Sequence, residues 1–285
     1  MRWNPGGRSD NLEDRRGASG GGGMRGPGGG MRVGLGGMVV LLVLSLIFKR
    51  DLITPLTGGG LPSASSSATA PVQDPQEEQM VQFVSFVLDT TQSTWTRLLP
   101  QQYQPAKLVL FRDAVQSACG AAESASGPFY CPGDQKVYVD LSFFDQLDRQ
   151  FGAPGDFAQA YVLAHEIGHH VQNLLGTERQ LRSAQQRNPS SANRLSVAME
   201  LQADCYAGVW GHEAARAGVL QPGDLEEGLR AASAVGDDHL QKMATGRVSP
   251  ESFTHGSSAE RSRWFRRGFD SGDPRQCDTF TAMSR

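Results

Sequence analysis

The stretch YVLAHEIGHHVQNLLG, residues 161–176, constrains this chain more than any other, because it sets two histidines four residues apart inside a helical apolar pattern. At about 100° per residue, with His165 as origin, His169 falls about 40° away and Glu166 about 100° away. Leu163, Ile167, Val171 and Leu174 fall between about 160° and 240°, on the opposite side. Such a helix buries one face and turns both imidazoles toward a cleft. Its expected limits are Asp156, read as the N-cap, and Leu175, with Gly176 as the stop.

Imidazoles at i and i+4 can supply two of the three protein ligands of a catalytic zinc, which keeps its last position for water. Glu166 lies too far round the helix to join them. It is placed instead to take a proton from a water that the metal acidifies. A third ligand must come from elsewhere, and the best source is AMELQADCYAG, residues 198–208, in a helix expected from Ser191 to Ala217. Glu200 and Asp204 share a face there, and Ala203, Ala207 and Gly211 lie within about 60° of Glu200, small enough to let the two helices approach.

Glu200 is therefore assigned as the third ligand of a single Zn2+. Asp204 is assigned as an acceptor that orients His165 or His169 through the other ring nitrogen; the rival reading makes Asp204 itself the ligand. His170 points toward the edge of the apolar stripe and reads as a buried structural histidine. His255, just before a helix opened by the capping box from Ser257 to Glu260, is a candidate donor to the oxyanion of a cleaved carbonyl. His212 receives no role, and His239, in GDDHLQ, is a weaker candidate than His255 for the same task.

The ends of the chain carry different information. Residues 1–32 hold six arginines against three acids and run to glycine after residue 17, so they read as a disordered tail. Residues 33–48 are uncharged and would span roughly 24 Å as a helix, with Arg32, Lys49 and Arg50 able to snorkel at the ends. This run is apolar all round, unlike a globular helix. The nearest A-x-A, residues 68–70, lies too far downstream for a cleaved signal peptide. Residues 33–50 are thus expected to form one transmembrane signal anchor in the cytoplasmic membrane, N-terminus inside and the remainder outside. Residues 51–76 read as a flexible Gly/Ser/Ala/Pro linker.

An exported domain with four cysteines favours disulfides. Cys119 and Cys131 close the shortest loop and are the preferred pair; Cys205 and Cys277 are the other candidates. None has C-x-x-C spacing, which argues against a cysteine-ligated zinc. A net charge of -3, from 27 basic and 30 acidic residues, gives no reason to expect nucleic acid.

Residues 77–281 read as one α+β domain, mostly helical with a small sheet. Helices are expected from residue 77 to 99, over 141–150, and over 224–234, besides the two that carry the site. KLVLF and KVYVDL read as strands. The stretch GPFYCPGDQKVYVDL is a candidate rim strand whose free edge could take an extended peptide.

Taken together, SDNLEDRRG, GPFYCPGDQKVYVDLSFF, AHEIGHHVQNLLG, ELQADCYAGVW, GDDHLQ and THGSSAERSRWFRRGF resemble the bacterial neutral zinc metallopeptidases, single-pass membrane proteins related in motif to the zincins with a glutamate third ligand. The resemblance implies a zincin-like fold, His165, His169 and Glu200 on zinc, and Glu166 as base. The expected function is hydrolysis of peptide bonds in a peptide or protein substrate, and the alternative is a zinc-stabilised envelope scaffold without catalysis.

Overall fold

A computed structural model describes residues 1–17 and 74–283. The apolar run expected to cross the membrane, and most of the linker, lie outside the described residues. Among the described residues no helix is long and apolar enough to cross a membrane.

The domain is α+β. Four strands form a sheet in the order β1-β2-β6-β5: β1 (Leu12–Asp14), β2 (Lys107–Phe111), β6 (Lys136–Asp140) and β5 (Phe129–Cys131). The first three run parallel, whereas β5 pairs antiparallel to β6 and leaves an edge. Between them β3 (Ala114–Ser117) and β4 (Gly120–Glu123) form a separate hairpin. Period-two alternation explains how one sheet serves two cores. Leu108, Leu110, Val137 and Val139 face the large helical core, while Val109, Phe111 and Tyr138 join Cys131 in a small cluster on the other face.

Nine helices stand among the described residues: α1 (Pro75–Leu98), α2 (Ser142–Arg149), α3 (Asp156–Leu174), α4 (Thr177–Arg187), α5 (Ala192–Arg216), α6 (Asp224–Ala234), α7 (Asp237–Thr245), α8 (Ser258–Ser271) and α9 (Thr279–Met283). Of these, α4, α7 and the short α9 had no counterpart among the helices expected from the sequence. The capping box opens α8, with Ser257 and Glu260 reciprocally bonded. Asp156 is not the N-cap of α3 but its first residue, because the cap is made from outside. The Phe157 N–H donates to Glu227 of α6 at 3.1 Å. Glu227 crowds Gly155, where an added Cβ would lie 2.1 Å from its carboxylate carbon.

Both disulfides form, Cys119 with Cys131 and Cys205 with Cys277. The first ties the β3–β4 hairpin to the edge strand β5. The second fastens α5 to the segment before α9.

One expectation fails. Residues 1–17 are not a disordered tail: they pack on the domain, and their short polar stretch becomes ordered through partners distant in the chain. Leu12, Glu13 and Asp14 pair with Leu108, Val109 and Leu110. Trp3 packs at a tilt against Phe83 and Phe86 of α1, with ring centroids 5.3 and 6.4 Å away. The Met1 amine donates to Asp156 at 2.8 Å, where Asp224 and Glu227 also converge.

Candidate metal centre

Helix α3 is buried along most of its length, so its two-faced pattern sits between two packed layers. Val162, His165, Glu166 and His169 line a cavity of about 500 Å³, which Glu200 of α5 enters from the other wall. The two helices meet closely because Gly168 lies against α5: an added Cβ would stand 3.0 Å from the Ala203 carbonyl oxygen. Ala203 is one of the small residues on the Glu200 face. Gly211 packs elsewhere, against Phe269 and Phe157.

His165, His169 and Glu200 offer ligand atoms that all lie within 4.8 Å of one another. His165 Nε2 is 3.3 Å from one Glu200 oxygen, and His169 Nε2 is 3.5 Å from the other. Two donors at about 2.0–2.1 Å from a tetrahedral zinc stand roughly 3.3 Å apart, so this spacing fits that ion. Glu166, buried beside them, is outside the trio.

The orientation of each imidazole comes from the residue on its far nitrogen. His165 Nδ1 lies 2.8 Å from Asp204 Oδ1, and His169 Nδ1 lies 2.8 Å from Gln172 Oε1. A carboxylate and an amide oxygen only accept, so each Nδ1 carries a proton, and in the neutral ring it is Nε2 that has the lone pair for a metal. Gln172 is fixed in turn, its amide donating to the Met199 carbonyl at 2.7 Å and to Gln202 at 3.1 Å.

Asp204 is fully buried, and both its oxygens are engaged. Arg261 Nε donates to Oδ2 at 2.8 Å and Arg261 Nη2 to Oδ1 at 2.9 Å, while the Tyr161 hydroxyl also donates to Oδ1. This commitment argues against Asp204 as a direct ligand. Burial pushes the Asp204 carboxyl up, but Arg261 and then His165 outweigh it and hold it at about 2. Burial alone would lower His165; Asp204 overrides this and raises it to about 9. Glu166 is raised by burial, only partly offset by the two histidines.

His255 lines the same cavity, and its charge reaches Glu200. Its Nδ1 lies 3.1 Å from Asp237 Oδ1. Asp237 Oδ2 accepts the backbone N–H groups of Thr254, His255 and Gly256 at 2.8, 2.6 and 3.0 Å. That carboxylate therefore shapes the loop that carries His255. His170 has no part in the cavity: its Nε2 donates to the Gln104 carbonyl at 2.6 Å and its Nδ1 accepts from Tyr130 at 3.0 Å, which pins β5 to α3.

A family model described as "Putative neutral zinc metallopeptidase" matches residues 1–280. The chain belongs to this family. Among its relatives, uncharacterized protein YpfJ of Escherichia coli K12 is 51% identical over 286 aligned residues, 98% of this chain and 99% of that one. An uncharacterized protein of Mycobacterium tuberculosis H37Rv is 47% identical over 205 residues, 68% of each chain. No solved structure matches the chain.

Sequence reasoning missed four residues of this candidate centre: Arg261, Tyr161, Gln172 and Asp237. Tyr161 and Gln172 carried a usable signal, one turn before His165 and three residues after His169. Arg261 carried none, since a basic residue on a capped amphipathic helix reads as solvated surface. Asp237, in GDDHLQ, carried none either, because it meets His255 from 18 residues away in the chain.

Proposed function

We propose that this cleft is the active site of a zinc-dependent peptidase, an endopeptidase acting on peptide or protein substrates outside the cytoplasm. The observation that carries the reading is the spacing of three ligand atoms around one point, with both imidazoles oriented from behind and a buried carboxylate alongside. A zincin-like arrangement is consistent with the mixed sheet, its antiparallel edge strand, and a helix bearing H-E-x-x-H. Two disulfides favour an oxidising compartment.

His165, His169 and Glu200 would hold zinc, which would supply Lewis acidity toward a carbonyl oxygen and a water in the cleft. Glu166 would take a proton from the attacking water and give it to the leaving amine, and its burial raises its basicity in the direction that task needs. His255, with Nδ1 held by Asp237, presents Nε2 toward the carbonyl oxygen as charge develops there. The unpaired edge of β5 receives the substrate backbone as an added strand. Phe129, Phe143, Phe151 and Val162 line the adjoining space and favour a large apolar side chain near the scissile bond.

Glu166→Gln is expected to retain stoichiometric zinc and lose cleavage of a peptide library by 10²-fold or more, on the order of a general base's contribution. Glu200→Ala is expected to lose the metal. Zinc-loaded wild-type protein that cleaves nothing, with a fourth protein ligand closing the site, would favour the scaffold reading instead.

A further inference from the structure

Residues 1–17 and 74–283 form one folded unit, although a long segment with an apolar run separates them in sequence. β1 lengthens the sheet, with the Leu108 N–H donating to the Asn11 carbonyl and the Arg15 N–H to the Leu110 carbonyl, both at 2.8 Å. Side chains lock the register: Lys136 Nζ donates to Glu13 at 2.7 Å, and Ser9 Oγ to Asp89 at 2.5 Å. The Arg2 N–H donates to the Val219 carbonyl at 2.6 Å, so the segment reaches the loop after α5 as well.

The two ends of the intervening segment also stand together. Arg16 Nη1 lies 3.1 Å from Glu77, and Arg8 pairs with Glu78, both on the first turn of α1. These arginines suggested a cytoplasmic tail by their charge. In the fold they are ion-paired within the domain: Arg8 with Asp14 and Glu78, Arg15 with Glu13, and Arg16 with Asp14 and Glu77.

We infer that residues 1–17 and the metallopeptidase domain occupy the same side of the membrane, so the apolar run at 33–48 does not join them by a single crossing. Arg16 and Glu77, close to the two ends of that stretch, are in contact on one face of the domain. A bilayer core of about 30 Å cannot separate groups that share hydrogen bonds. A strand donated by a second copy would have to come from the same side too. The inference does not depend on the peptidase chemistry, and it revises the topology expected from the arginine count.

The test uses the full-length chain in cells with an intact cytoplasmic membrane. Asp10→Cys and Arg230→Cys, both at exposed positions, are treated separately with a membrane-impermeant maleimide. The native cysteines are all in disulfides. The expected result is equal labelling of the two sites, before or only after the membrane is opened. Labelling of Arg230→Cys in intact cells, with Asp10→Cys protected until lysis, overturns the inference. A double variant, Arg8→Cys with Glu78→Cys, treated with a short permeant bis-maleimide, should give a linked peptide detectable by mass spectrometry after digestion. Equal labelling without that linked peptide would overturn the docked strand from which the inference is argued.

Discussion

Asp204 shows how much one buried side chain carries at this centre. It orients His165, accepts from Tyr161 and neutralises Arg261, all without solvent. Asp204→Asn strands the buried guanidinium and is expected to cost roughly 3–5 kcal/mol of stability, read by denaturant unfolding. The pH dependence has a definite sign. The Asp204 carboxyl is lowered from 3.8 to about 2 in the folded state, so its contribution is whole above the unfolded value and disappears as the pH falls through about 2. Acid unfolding of metal-free protein, followed by circular dichroism, should show this loss in wild type and not in Asp204→Asn. His165 supplies the opposite dependence. Held protonated up to about 9 without metal, it must give up that proton to bind zinc, so zinc affinity should rise as the pH rises toward about 9. A pH-independent affinity over that range would contradict the assignment of His165 as a ligand.

At the scale of elements, the site depends on how closely three helices approach. Helix α5 touches α3 at Gly168 and Ala203, and touches α8 where Gly208 and Gly268 face each other's backbones. A Cβ at Gly268 would lie 1.9 Å from the Cys205 carbonyl oxygen, and one at Gly208 would lie 2.1 Å from the Phe265 carbonyl oxygen. Gly268→Ala must therefore push α8 away. The expected cost is on the order of 1–3 kcal/mol or more. Because α8 carries Arg261, zinc affinity should weaken as well. Calorimetric zinc titration checks this, and an unchanged affinity in a folded variant would show that Arg261 does not depend on the crossing. The small-residue pattern on α5 was legible; its second use, against α8, was not. A run of alanine and glycine says that something approaches but does not say what.

The whole molecule is assembled from both ends of the chain. Met1, Trp3 and β1 cover α1, the sheet edge and the start of α3, so a protein beginning at residue 74 lacks part of its own core surface. Trp3→Ala should lower stability by roughly 1–3 kcal/mol, less than the loss of a fully buried aromatic, because Trp3 is half-buried. Thermal unfolding of the two proteins at equal concentration checks this; an unchanged midpoint would mean that the segment adds nothing in solution. The error in the sequence reading has a physical cause. A three-residue strand held by ion pairs has too few positions to show period two, and arginine with glycine is also the composition of a disordered tail.

By itself, the sequence determined what depends on local geometry. The helical repeat puts His165 and His169 on one face and the apolar stripe on the other, and the short loop between Cys119 and Cys131 makes their pairing the easiest to close. The α+β class and most element limits were also readable, because burial imposes periodicity on each element separately. Tertiary structure alone decided which atoms meet: Glu200 across from both imidazoles at ligand spacing, Arg261 on Asp204, Asp237 behind His255, and the first strand beside β2. Those contacts arise from packing whole helices and sheets together, and no periodicity within one segment encodes the partner on another.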